Sequence, residues 1–255
     1  MASGDELLVV RGLTRSFYGV QALRGADFAV RRGTITALIG PNGAGKTTAF
    51  QCISGVIPPD AGSVVFDGTD ITGWRADRIT RIGLTRTFQI ARSILRLSVL
   101  DNLCLYAPDQ PGEGMIAAIV GSGRAREDAI RDQAIAVARR LNLFHVLNNA
   151  AGALSGGQKK LLEIGRALMA RPKLILLDEP IAGVNPTLAE TIAEHLAGLR
   201  DEGLTFLVIE HHMDLIARLC DPVIVMAEGR TLAEGNFAAI AANPDVREAY
   251  MGNRA

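Results

Sequence analysis

Cysteine is scarce: the 255 residues hold three, Cys52, Cys104 and Cys220, with no C-x-x-C pair and no zinc-ligand spacing. An odd and scattered set of this kind reads as reduced, packing thiols of a cytosolic protein, not as a disulfide framework. Net charge is missing as well, since Lys plus Arg and Asp plus Glu number 27 each. No broad basic surface follows, so a mainly electrostatic grip on nucleic acid is disfavoured. Long apolar runs are absent too. Met115–Val120 and Leu174–Leu177 fall far short of the roughly 20 residues that cross a bilayer. The opening stretch, Met1 to Glu6, carries two acids and no basic cluster, unlike a secretory leader. The chain shows no internal repeat, low-complexity tract or heptad run.

What is present suits a globular fold. Hydrophobic residues make up 48% and charged residues 21%, enough for one large domain or two lobes sharing a core. Short apolar, often β-branched runs stand at Leu7–Val10, Thr34–Ile39, Lys173–Leu177, Thr205–Ile209 and Val223–Met226. Helical periodicity fills the gaps, which is the α/β pattern of a largely parallel sheet covered on both faces. Leu7–Phe17, Ala26–Val30 and Ser63–Asp67 are joined by short turns and predict an antiparallel β flank. From Leu97 to Ala150 the strand signal disappears. A helix is expected over Ser98–Tyr106 and another over Arg124–Leu141, whose Ala129, Ile130, Ala134, Val137, Ala138 and Leu141 share one side. The expected organisation is a single domain over 1–255. Its α/β core and flank occupy 1–88 and 160–255, and an inserted helical subdomain occupies 89–159.

The chemistry starts at Gly40, Pro41, Asn42, Gly43, Ala44, Gly45, Lys46, Thr47 and Thr48, which match G-x-x-x-x-G-K-[ST] between a strand-like run and a helix-compatible one. Glycines let the backbone curl so that its N–H groups face phosphate, and the new helix adds its positive end. Lys46 supplies a point charge to the β- and γ-phosphates. Thr47 offers its hydroxyl to Mg²⁺, and Thr48 is a further phosphate contact. This is the signature of a P-loop NTPase core. Leu174–Leu177 then runs into Asp178 and Glu179, two adjacent carboxylates at the end of an apolar strand. Asp178 is expected beside the Mg²⁺ site, and Glu179 where a carboxylate aligns and deprotonates an attacking water.

Leu154-Ser155-Gly156-Gly157-Gln158 lies upstream of that strand and opens a helix that Ser155 can cap. In this order and spacing the motifs resemble those of ABC ATPases, over nearly the whole chain from Leu7 to about Gly252. The resemblance implies ATP and Mg²⁺ as cofactors and Ser155, Gly156, Gly157 and Gln158 as nucleotide-binding residues. Gln89 resembles the glutamine that reads Mg²⁺ and the attacking water. His211 resembles the switch histidine at the γ-phosphate. Phe17 resembles the aromatic residue that stacks on adenine, with adjacent Tyr18 as the competing candidate. Asn185 stands where many ABC ATPases carry aspartate.

Thr85–Arg92, Val208–Met213 and Ala242–Gly252 are similar to ATPase subunits of branched-chain amino-acid importers, although His212 stands where that group commonly has aspartate. Urea and short-amide importers and the ATPases of lipopolysaccharide export share much of this pattern. The resemblance implies a head-to-tail pair with a second ATPase subunit, identical or paralogous. It further implies two transmembrane permease subunits, a substrate-binding protein in the full transporter, and a place on the inner face of the plasma membrane. ABC ATPases that act on nucleic acid or ribosomes usually carry two cassettes or long coiled-coil arms; this chain has one set of motifs and neither arm nor net positive charge. A regulator that no longer hydrolyses is disfavoured by the presence of Glu179 and His211.

Overall fold

The computed structural model describes residues 5–87, 94–108 and 124–251. In chain order its first strands are β1 (Glu6–Phe17), β2 (Val20–Arg31) and β3 (Ile35–Ile39). Helix α1 (Lys46–Ile53), β4 (Ala61–Phe66), β5 (Thr69–Asp70), α2 (Ala76–Arg81) and β6 (Leu84–Arg86) follow. The middle of the chain supplies α3 (Val99–Cys104), α4 (Arg124–Arg140) and α5 (Gly156–Met169). Then come β7 (Leu174–Asp178), α6 (Pro186–Asp201), β8 (Thr205–Ile209) and α7 (Met213–Leu219). Strands β9 (Val223–Ala227) and β10 (Arg230–Gly235) and helices α8 (Phe237–Ala242) and α9 (Pro244–Met251) end the described chain.

The chain divides into two compact units. The first comprises Met1–Arg86, Lys173–Pro180 and Leu196–Ala255. Its six-stranded sheet has the order β10-β9-β3-β8-β7-β6, parallel throughout except for the β9–β10 pair. Every residue of β3, β7 and β8 is buried. Continuous apolar runs of this kind belong to strands covered on both faces. A second, antiparallel sheet has the order β2-β1-β4-β5. Strand β2 begins at Val20, earlier than the expected Ala26, because Tyr18 and Gly19 both take positive φ and close a two-residue hairpin directly after β1. Phe28 of β2, Phe50 of α1, Phe66 of β4 and Met226 of β9 share one buried cluster. Asp67, in the turn after β4, pairs with both Lys173 and Arg32, tying the start of β7 to that turn.

The second unit comprises Thr87–Pro172 and Ile181–His195. Helices α3, α4 and α5 pack against one another there. Helix α4 buries Ile130, Ala134, Val137 and Ala138, and Leu141 is buried just beyond it, whereas Ala129, expected on the same face, is exposed. Ser98 caps α3 by accepting from the Asp101 N–H at 3.0 Å. Asn102 is fully buried and knots the preceding turn: its amide donates to the Ser98 carbonyl at 2.9 Å and its oxygen accepts from the Ile94 N–H at 3.2 Å. The division differs from the expected 89–159 insertion. Helix α5 is one unbroken amphipathic element, so a boundary at 159/160 would cut it, and the Leu188 side chain lies directly on Gly157 near its start.

Cys52 and Cys220 are buried, and desolvation pushes their thiols up to about 11 and about 12. They are inert packing groups at neutral pH. Among the described residues no helix is long and apolar enough to cross a membrane.

Candidate functional site

Strand β3 delivers the chain at Ile39 into the phosphate loop, and α1 leaves it at Lys46. Gly40 turns there with φ 148°, and a Cβ on it would stand 2.1 Å from the Met226 carbonyl oxygen of β9. Only glycine fits so close to a neighbouring backbone. Ala44 is tied to the β9–β10 turn, its carbonyl accepting from the Gly229 N–H at 3.1 Å. Lys46 is 7% exposed, and its ammonium donates to the carbonyl oxygens of Gly40 at 2.7 Å and Pro41 at 2.9 Å. Burial draws its pKa below the ordinary lysine value, and the charges of Glu179 and Asp178 oppose that shift. Thr47 and Thr48 follow in the first turn of α1, where unshared backbone N–H groups favour an anion.

A cavity of about 280 Å³ gathers these groups, lined by the loop from Asn42 to Thr48 together with Ala22, Glu179, Ile209 and His211. Strand β7 ends at Asp178, opposite Ile209 of parallel β8. Glu179 then reverses the backbone with φ 50° and donates its N–H to the Ile209 carbonyl at 2.9 Å. His211 Nε2 lies 3.3 Å from Glu179 Oε1. The turn that carries His211 is held by Glu210, 1% exposed, which accepts from the His211 N–H at 3.0 Å and sits 3.0 Å from His212 Nδ1. Asp178 Oδ2 accepts from Arg86 Nη2 at 3.0 Å. Arg86 and Glu210 lie inside the stretches Thr85–Arg92 and Val208–Met213, but the sequence assigns neither side chain a role. Arg86 is a charge at the end of a strand that pairs with fully buried β7.

The second unit presents the Ser-Gly-Gly turn at the start of α5. Ser155 Oγ accepts from the Gln158 N–H at 3.3 Å, and Gln158 Oε1 accepts from the Ser155 N–H at 3.0 Å. This reciprocal capping box uses two of the donors at the helix start and fixes the turn. Gln158, expected to touch nucleotide, therefore has its amide oxygen engaged within the cap. No atom stands within 4 Å of a Cβ built on Gly156, whereas one on Gly157 would meet two Leu188 methyl carbons at 2.3 Å. Asn185 caps α6, its Oδ1 accepting from the Leu188 N–H at 2.9 Å ahead of Pro186 at the first helical position.

Phe17 is 36% exposed at the end of β1, with the Arg15 guanidinium 5.1 Å from its ring centre, and Tyr18 is fully exposed. A larger cavity of about 700 Å³ borders the phosphate loop, lined by Val20, Gln21, Arg24, residues from Pro41 to Ala44, the Ala227–Glu228 turn, Leu232 and α9. Phe17 is not among the lining residues of either cavity. Gln89 lies outside the described residues.

Comparison with known proteins identifies the family. A model of the ABC transporter family matches residues 23–182, and one for the branched-chain amino acid ATP-binding cassette transporter matches residues 230–255. The chain is 41% identical to a probable branched-chain amino acid transport ATP-binding protein, LivG, of Archaeoglobus fulgidus, over 97% of this chain and 96% of that one. It is 36% identical to the high-affinity branched-chain amino acid transport ATP-binding protein BraF of Pseudomonas aeruginosa, over 96% and 98% of the two chains. The ADP conformation of MJ1267, an ATP-binding cassette of an ABC transporter, superposes with a TM-score of 0.86 at 38% identity, covering 97% of this chain and 99% of that one.

Proposed function

The chain belongs to the ABC transporter family of ATP-binding subunits, and from that premise we propose that it powers an importer of branched-chain or closely related amino acids. The observation that carries this reading is the near end-to-end match to branched-chain amino-acid transport ATP-binding proteins, which extends into the C-terminal residues 230–255. The chain is an ABC ATPase, and the first unit holds its phosphate loop, Glu179 and His211 around one cavity.

The chemistry comes from this chain's own residues. The first turn of α1 and Lys46 bind the β- and γ-phosphates, where the ammonium exchanges its two loop carbonyls for phosphate oxygens. Glu179 takes a proton from the attacking water as the new P–O bond forms and the bond to the ADP oxygen breaks. His211, beside Glu179, holds that carboxylate and the γ-phosphate in line, and Gln89 is assigned to the same water. Thr47 and Asp178 offer hard oxygen donors, the type Mg²⁺ takes. Asp178 ends β7 immediately before Glu179, which lines the phosphate-loop cavity. A site with one or two protein ligands suits this ion, which keeps waters and substrate phosphates for the rest. When bound there, Mg²⁺ neutralises charge on the phosphates.

Ser155, Gly156 and Gly157 are assigned to the nucleotide held by a second cassette, so that two chains pair head to tail across two ATP molecules. Gly156, with open space around it, leaves its backbone approachable by such a ligand. Two membrane permeases hold the pair at the inner face of the membrane, and a substrate-binding protein delivers the amino acid.

The test is purification of the tagged chain from gently solubilised membranes, followed by uptake of labelled leucine into vesicles holding the recovered complex. Two permeases with ATP-dependent leucine uptake are expected. Recovery with lipid-export membrane proteins would overturn the cargo and keep the motor; recovery with ribosomes or DNA would overturn transport altogether.

A further inference from the structure

Strands β6 and β7 run parallel and side by side, and each ends in a charged residue, Arg86 and Asp178. Arg86 Nη2 donates to Asp178 Oδ2 at 3.0 Å, and the two side chains are 10% and 5% exposed. The guanidinium carbon also stands 5.9 Å from the ring centre of Phe50, on the helix that begins with Lys46 and Thr47. A carboxylate so deeply buried stays ionised without a large cost only beside a positive partner. Arg86 supplies one from the end of a strand paired with β7.

This pairing bears on the metal, and its significance rests on the proposed assignment of Asp178 and Thr47 to Mg²⁺. A divalent ion that approaches Asp178 meets a carboxylate already shared with a guanidinium, and the two cations repel at short range in a weakly screened place. We infer that Arg86 is a positioning residue that holds Asp178 as a place-holding counter-ion, so that metal binding is an exchange of one cation for another on that carboxylate. The exchange keeps the buried charge compensated before and after Mg²⁺-nucleotide binds, and it weakens metal affinity relative to an unpaired aspartate. Arg86 is the last residue of the first unit before the chain enters the second.

The test uses Arg86→Gln, which removes the charge, read by binding rather than by turnover. Mn²⁺ in the presence of ADP is titrated and free Mn²⁺ followed by electron paramagnetic resonance. The variant is expected to hold Mn²⁺ roughly three- to tenfold more tightly than wild type. In parallel, thermal melts with EDTA should show the variant several degrees below wild type, with the gap closing in Mg²⁺ and ADP. Unchanged or weaker Mn²⁺ binding would overturn the place-holder role, as would a melting gap that ignores Mg²⁺. Should that variant fail to fold, Arg86→Lys keeps a charge without the planar fork; tighter Mn²⁺ binding of smaller size is expected, and unchanged or weaker binding overturns the role equally. Wild-type protein that holds Mn²⁺ no better than Asp178→Asn would instead sink the metal assignment itself.

Discussion

His211 Nε2 and Glu179 Oε1 stand 3.3 Å apart, on turns that follow neighbouring parallel strands. The separation places an imidazole against the carboxylate assigned to the attacking water. Glu179→Gln keeps the shape of the side chain and removes its basicity. It should bind ATP as wild type does, favour the closed pair of cassettes, and lose turnover by roughly 10²–10⁴-fold. Phosphate release beside a nucleotide-binding titration checks this; near wild-type turnover would remove Glu179 from its role.

Gly157 is constrained by packing. A methyl group there would displace the Leu188 side chain, a cost partly offset by the helix preference of alanine, so Gly157→Ala should destabilise the protein by about 1 kcal/mol in urea unfolding. Combining it with Leu188→Ala should restore part of the loss that the two single changes predict together. Strict additivity would show that the contact does not govern the position.

Asn185 does locally what aspartate does at a helix start. Asn185→Ala should cost about 1 kcal/mol through loss of the cap on α6, whereas Asn185→Asp should be neutral or slightly stabilising. Denaturant midpoints of the three proteins decide it.

Asp67 gives a pH signature. Hydrogen bonds from Lys173 and Arg32 hold its carboxyl below the ordinary aspartate value. The folded state thus prefers the ionised form, so the contribution is present above the ordinary value of about 3.9 and is lost as pH falls through the lowered one. Asp67→Asn should therefore melt below wild type at pH 7, with the difference shrinking as pH drops beneath that range. A difference that persists unchanged at low pH would assign it to packing.

The sequence was most legible in local structure, where the motifs run through consecutive residues. Gly40–Thr48, Asp178–Glu179 and Ser155–Gln158 each declare a local backbone shape, and α1 and α5 begin at Lys46 and Gly156. Apolar runs such as Thr205–Ile209 announced buried strands because burial on both faces leaves no polar alternation. Pairings between distant residues carried no such signal. Arg86 meets Asp178 across 92 positions, and only the β6–β7 register brings them together. Glu210 was hidden differently: its neighbour His211 drew the functional reading, while the buried acid that fixes the turn resembled an ordinary surface charge. Ala129 misled because alanine is tolerated on either face of a helix.

Glu179 holds a left-handed backbone, φ 50°, which a residue other than glycine adopts at a cost of about 1–3 kcal/mol. For the fold alone, glycine would be the better occupant of this position. Under the role proposed for Glu179, stability and hydrolysis therefore pull in opposite directions at a single position. A lineage released from the need to turn over ATP would drift there first, leaving a sturdier cassette that grips its nucleotide and no longer cuts it.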